Sequence, residues 1–178
     1  MRLEYSPLHV HDTNSSLDGA AKPADLAARC VELGHTACAI TNHGTVLGHF
    51  DFFHEMRKAG VRPILGVEAY HVGNVADYTG AKEGERRKGE RQAFEYAHLT
   101  ILARTQAGYQ NLLKLVTASY RAFYYKPLID ARMLQEHQEG LTILSGCVIG
   151  RLSQLINQGR EEDAFKWLRW YAANLESF

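Results

Sequence analysis

Three short stretches that suit strands, residues 8–11, 37–40 and 63–70, alternate with two helical stretches, and the connections between them are short. The first helix is expected over 23–33. Pro23 suits an opening turn, where its missing N–H costs nothing; Leu26, Cys30 and Leu33 recur at helical spacing, and Gly34 supplies a stop. The run Ala37-Cys38-Ala39-Ile40 is too short for a helix and fits a buried strand. A second helix is expected over 46–59, with Phe50, Phe53 and Met56 on its inner side and Gly60 closing it. A βαβαβ order of this kind predicts a parallel sheet with right-handed crossovers. The fold class is therefore α/β.

Polar residues fall at telling places on that frame. Side chains two apart on a strand share a face, so His9 and His11 project together. Asp18 follows seven residues after His11, across a turn rich in Ser and Asn that can carry it back toward the imidazoles. His9 and His11, then His43, then Glu68 each lie near the carboxyl end of a predicted strand, the rim where ligand and catalytic groups of α/β folds gather. Two imidazoles and a carboxylate suit Zn, Mn or Fe. For the His-x-His dipeptide alone, a surface strand with alternating histidines is the better reading. The recurrence at successive strand ends overturns it.

Composition narrows the class. The 178 residues fit one domain, 46% apolar and 22% charged, able to bury roughly 70% of its extended-chain surface. Acidic and basic residues balance at 20 each, so no global field points to nucleic acid or membrane. Nothing resembles a signal peptide or a spanning apolar run, and three irregularly spaced cysteines fit a reducing compartment, so a cytoplasmic protein with no membrane partner is expected.

Beyond residue 72 the pattern breaks. Residues 73–95 carry Gly73, Gly80, Gly84 and Gly89 among interleaved charges and read as a surface excursion whose basic residues are solvated. A strand is expected over 97–102, beginning at His98. A helix over 107–120 uses Leu112, Leu113, Leu115 and Val116, and a short helix lies near 131–137. A strand over 141–145 ends at Gly146-Cys147, and helices follow near 151–157 and 161–175, the last apolar through Ala164, Leu168, Tyr171 and Leu175. His35, His49, His54, His71 and His137 read as surface or capping residues, and Cys30 and Cys38 as core. Trp167 and Trp170 read as packing, and the pair Tyr124-Tyr125 as an anchor for its link, though it could stack on bases.

Several motifs taken together resemble a known family. They are His9-x-His11, Asp18-Gly-Ala-Ala-Lys22, Ala39-Ile-Thr-x-His43-Gly44, Gly66-Val-Glu68-Ala-Tyr70, His98-Leu, Phe123-Tyr-Tyr-Lys-Pro127 and Leu144-Ser-Gly-Cys147. In order and over nearly the whole chain they are similar to the polymerase and histidinol phosphatase (PHP) domain. More narrowly, they resemble its version at the amino terminus of bacterial replicative DNA polymerase III alpha subunits. The resemblance implies a distorted (β/α)7 barrel with two or three divalent ions (Zn, Mn or Fe) at its carboxyl-end rim. The ligand positions it implies are His9, His11, Asp18, His43, Glu68, His98 and Cys147. Two further family ligands belong to a downstream Asp-x-His segment; this chain stops at Phe178 before one, so an amino-terminal portion over 1–178, lacking the closing part of the barrel and any polymerase domain, is expected. Against the family pattern, Asp12 stands where Ser or Thr is usual, Asn14 where an aromatic is common and Asn42 where Asp is usual. Asn42 holds an imidazole less well than a carboxylate would, and Asp12 could compensate with a nearby one.

The activity so implied is metal-dependent phosphodiester hydrolysis, a 3′–5′ proofreading exonuclease working for an attached DNA polymerase, with His9, His11, Asp18, His43 and Glu68 as catalytic residues. Its partners would be single-stranded or primer–template DNA and the remainder of the polymerase chain. Two rivals stand beside it. One is an inactive domain that braces the polymerase and binds a separate exonuclease subunit; the other is a phosphomonoesterase of the histidinol phosphatase type.

Overall fold

The computed structural model describes residues 5–16, 18–79 and 96–178. Most of the expected surface excursion, from residue 80 to 95, lies outside these. The elements in chain order are α1 (Pro23–Leu33), β1 (Ala37–Ile40), α2 (His49–Lys58), β2 (Arg62–His71), α3 (Ala76–Thr79), β3 (Ala97–Ala103), α4 (Gln106–Arg121), β4 (Leu128–Ile129), α5 (Ala131–His137), β5 (Leu141–Leu144), α6 (Arg151–Asn157) and α7 (Glu161–Asn174). Among them no helix is long and apolar enough to cross a membrane.

Where the chain carries a cap or a breaker, elements begin and end as expected. Gly34, at φ 73°, closes α1 by donating its N–H to the Val31 carbonyl. Thr105 caps α4 by accepting from the Gly108 N–H at 2.9 Å, and Asp130 caps α5 by accepting from Met133 N–H at 3.1 Å.

The sheet departs from the all-parallel expectation. Its order is β1-β2-β3-β5, with β4 on the end of β2. β1 and β4 run parallel to β2, whereas β3 is antiparallel to both β2 and β5. The result is a mixed α/β fold whose sheet fits part of a distorted barrel. Residues 8–11 are a second correction, because they form no strand. Ala39 N–H donates to the Pro7 carbonyl and Thr41 N–H to that of Val10, both at 2.8 Å, so the segment does lie along β1. The Val10 N–H turns to Thr41 Oγ1 at 3.1 Å instead of a backbone carbonyl, so no ladder is completed.

Among the described residues two larger apolar cores flank the sheet, beside a small cluster of Tyr70, Val72 and Leu128. One packs α1 and α2 on β1 through Ala27, Cys30, Cys38, Ile40, Phe52 and Met56. The other gathers α4, α5 and α7 on β2, β3 and β5 through residues such as Leu112, Leu115, Leu134, Ile101, Ile143 and Tyr171. The inner face of α2 differs from expectation. His49, Phe52 and Met56 are buried, and Phe50 and Phe53 face outward. Both sets obey helical spacing, and the choice turns on His49 being buried, which hydrophobicity cannot announce. Leu33 and Leu168, expected on inner stripes, are likewise exposed.

Candidate metal centre

A tight turn brings Asp18 back to the imidazoles. Asp18 N–H and Gly19 N–H both donate to the Ser15 carbonyl, and a Cβ on Gly19 would stand only 1.6 Å from the Asp12 carbonyl oxygen. Asp18 Oδ2 then lies 2.8 Å from both His11 Nδ1 and His43 Nε2. Beyond β1 the chain stays beside β2: Glu68 N–H donates to the Asn42 carbonyl at 3.2 Å and Gly44 N–H to that of Glu68 at 2.8 Å. That bridge sets His43 next to Glu68. Ser15 Oγ accepts from His43 N–H at 3.3 Å, linking the turn to the same place.

Glu68 stands three residues before the end of β2, 1% exposed, and four imidazoles surround it. Oε2 lies 2.9 Å from His9 Nε2, 2.9 Å from His11 Nε2 and 3.2 Å from His43 Nδ1; Oε1 lies 2.8 Å from His98 Nδ1. His98 is the second residue of β3, and because β3 is antiparallel, its first residues pair with the last of β2, Tyr70 opposite His98. A ligand position that the chain order put at the wrong end of a strand is thereby carried to the same rim. Cys147, just past β5, brings its Sγ to 3.5 Å from His98 Nδ1.

The structure therefore draws all seven expected residues to one rim. Among the described residues, three overlapping groups have donor atoms within 4.8 Å of one another: His9, His11 and Glu68; His11, Asp18 and His43; His43, Glu68 and His98. Cys147 adjoins His98 but stands outside these groups. Several of the short contacts are not hydrogen bonds. His11 Nε2, His43 Nδ1 and Glu68 Oε1 are buried and have no hydrogen-bond partner despite contacts of 2.8–3.2 Å. Although Asp18 is hydrogen-bonded to His11 and His43, the unbonded donors around Glu68 suit a shared divalent cation, and the imidazole-rich set suits a transition metal over Mg. The residues present fit such an ion.

The electrostatics are those of an anionic floor under imidazoles. Burial alone would raise the Glu68 carboxyl, but the imidazoles of His11, His9 and His98 overcome it and hold the group far below the carboxylate range. Asp18 behaves alike, burial being outweighed by His11, Ser15 and His43, which bring it down to about 2. His11 and His43 share these two carboxylates yet move in opposite directions. For His11 the carboxylates overcome burial and raise it; for His43 burial wins, helped by the charge of His11, whose ring lies 4.4 Å away. Burial also pushes the Cys147 thiol up.

Asp12 and Asn42 do something other than the sequence suggests. Both are fully buried, and they bind each other: Asn42 Nδ2 donates to Asp12 Oδ1 at 2.7 Å, and Asp12 N–H to Asn42 Oδ1 at 3.0 Å. Asp12 also accepts from Asn14 N–H at 2.7 Å. Its carboxylate joins none of the three donor groups and does not stand in for a missing acid at the rim. Two histidines taken as surface or capping residues are also buried. His49 is bonded through Nε2 to the Gly66 carbonyl at 3.0 Å, and His71 lies among Trp167 and Tyr171. Tyr70, at the rim, is a site residue the motif alone leaves without a role: its ring stacks on His43 at 5.8 Å and 16°.

The chain matches the PHP domain family over residues 7–177. Among curated proteins it is 43% identical over 176 residues to the DNA polymerase III subunit alpha of Deinococcus radiodurans, covering 94% of this chain and 13% of that one. It is 37% identical over 171 residues to that of Borreliella burgdorferi (96% of this chain, 14% of the relative) and 39% identical over 162 residues to that of Thermus aquaticus (89% and 13%). The chain thus spans about one seventh of the length of these relatives. Among solved structures, an amidohydrolase from Chromobacterium violaceum superposes over 92% of this chain and 54% of its own with a TM-score of 0.40 and 14% identity.

Proposed function

The chain belongs to the PHP domain family, and from that premise we propose that it is the amino-terminal PHP domain, residues 1–178, of a cytoplasmic replicative DNA polymerase III alpha subunit. In this reading its rim hydrolyses phosphodiesters as a metal-dependent 3′–5′ exonuclease that proofreads for the attached DNA-directed DNA polymerase. The observation that carries it is the convergence of His9, His11, Asp18, His43, Glu68 and His98 with buried donor atoms left unbonded. Two or three ions of Zn, Mn or Fe would be held there, Glu68 and Asp18 each facing more than one imidazole. Cys147 would join through His98's side of the cluster. Such ions lower the pKa of a bound water and neutralise charge on the attacked phosphate.

The chain's own residues do the rest. The anionic Glu68 floor keeps the facing imidazole nitrogens aimed at a common point, and Tyr70 fixes the tilt of His43 from below. The Ser15 turn holds Asp18 across from them. The Asn42 amide is bonded to Asp12 and to the Leu47 carbonyl inside the protein, so an amide at this position is compatible with an active rim.

The test uses the full-length natural chain: divalent metal per chain, cleavage of single-stranded DNA, and the same measurements on Glu68→Gln. Metal-dependent trimming from the 3′ end that is lost with the substitution is the expected result. A metal-loaded protein that leaves DNA untouched sinks the exonuclease reading in favour of a bracing domain for a separate exonuclease subunit. Hydrolysis of a chromogenic monoester alone would favour a phosphomonoesterase.

A further inference from the structure

Against His43 lies a cleft of about 210 Å³, walled on one side by the Ser15-Ser16 turn and on the other by residues 123–127. The backbone there reverses sharply: Tyr124 N–H donates to the Lys126 carbonyl at 3.0 Å, and Tyr125 at the tip has φ 57°. That left-handed conformation suits Gly or Asn and is strained for an aromatic residue. The strain is not there to bury the ring, because Tyr125 is 73% exposed and Phe123 54%. The anchoring role falls instead to Tyr124, which packs on Tyr78. Lys126 points inward, its Nζ 5.0 Å above the Tyr70 ring, the same ring that stacks on His43. A cation one ring away from the cluster and two largely exposed rings on one hairpin tip, Phe123 with one face toward Tyr120 and Tyr125 edge-on to Tyr124, match the two chemistries of a nucleotide, phosphate and base.

We propose that this cleft seats the nucleotide flanking the scissile phosphate, with the base on Tyr125 or Phe123 and Lys126 meeting the adjoining phosphodiester. The inference rests on the phosphodiesterase reading and gives it a substrate class, a nucleic acid strand in place of a small ester. Stacking of one base on an aromatic ring is sequence-tolerant, as an exonuclease requires.

In the full-length natural chain, Tyr125→Gly removes the ring and relieves the backbone, so a loss cannot be laid to misfolding. Tyr125→Gly, Phe123→Ala and Lys126→Ala are each expected to lower kcat/KM on an oligodeoxynucleotide by about tenfold or more, through KM. Tyr125→Gly and Phe123→Ala should leave hydrolysis of methyl 4-nitrophenyl phosphate, which has no base, within about twofold of the unsubstituted rate. Equal losses on both substrates from these two substitutions, or on neither, overturn the proposal. If the natural chain cleaves neither, the phosphodiesterase reading has failed by itself, and the cleft is then judged by photocrosslinking an oligodeoxynucleotide ending in 5-iodouracil. Adducts within 123–126 support it; adducts confined to other parts of the chain overturn it.

Discussion

Two kinds of histidine in this chain meet opposite surroundings. His9, His11, His43 and His98 crowd around Glu68, with Asp18 beside two of them, at a rim open enough for ligands. His49, at the start of α2, and His71, against α7, are buried apart from the cluster, with a backbone carbonyl or a tyrosine hydroxyl as polar neighbour. In the first setting the carboxylates overcome burial at His11, which is raised, and fall short at His43, which is lowered. In the second, burial outweighs what the Gly66 carbonyl and Asp12 return to His49 and Asp130 to His71, so both rings are lowered, His71 to about 3. The residue type is the same, and the company it keeps decides whether it holds a proton, an ion or neither.

The sharpest way to break this contrast is to remove the shared carboxylate. Glu68→Ala should lower divalent-metal affinity and DNA hydrolysis by at least about 100-fold, as read by metal content and cleavage assays on the full-length chain. If metal stays at the natural level, the rim histidines are no different in kind from the buried ones. Next comes His71→Phe. The folded ring resists protonation down to about 3 whereas an unfolded one accepts a proton near 6.5, so the unfolded state binds more protons as pH falls between those values. The natural chain should therefore lose stability on acidification more steeply than the variant, by up to about 1.4 kcal/mol per pH unit, in denaturant titrations between about pH 6 and pH 3. Identical slopes would mean that His71 is protonated inside the fold.

Asp12→Ala tests the boundary between the two settings, since Asp12 adjoins His11 in sequence but faces Asn42 and Asn14. We expect about 2–3 kcal/mol of lost stability from the bonds that Asn42 Nδ2 and Asn14 N–H make to this carboxylate, with metal content kept in the folded protein. Loss of metal at full stability would place the carboxylate in the cluster instead. Smallest is His49→Phe, which removes the Nε2 bond to the Gly66 carbonyl and should cost about 1 kcal/mol by urea midpoint without touching metal content.

Which parts of this were legible in the chain follows from how local their causes are. α1, α5 and α6 carry their own punctuation, as Pro23 with Gly34, Asp130 and Gly150 show, and their limits were readable. Of the rim residues, His9, His11, His43 and Glu68 were readable from their places near the ends of predicted strands, whereas His98 and Cys147 followed only from the family resemblance. The direction of β3 was not readable, since an apolar run reads alike parallel or antiparallel, and only pairing with β2 explains why His98 lies near the start of its strand. The burial of His49 and His71 depends on Gly66 and on Tyr171, 17 and 100 residues away. The pairing of Asp12 with Asn42 spans 30 residues, and neither is unusual until the other is seen.

β2 has partners along both edges, β1 and then β4 on one and β3 on the other. Its alternation sends Val67 and Ala69 into the apolar core and turns Glu68 toward the imidazoles. A slip of one residue would exchange those faces and bury the acid in hydrocarbon. Ability to capture an ion therefore reports that every neighbour of this one strand has docked in phase, so chelation competence should be the last property to emerge during refolding and the first to vanish on partial unfolding.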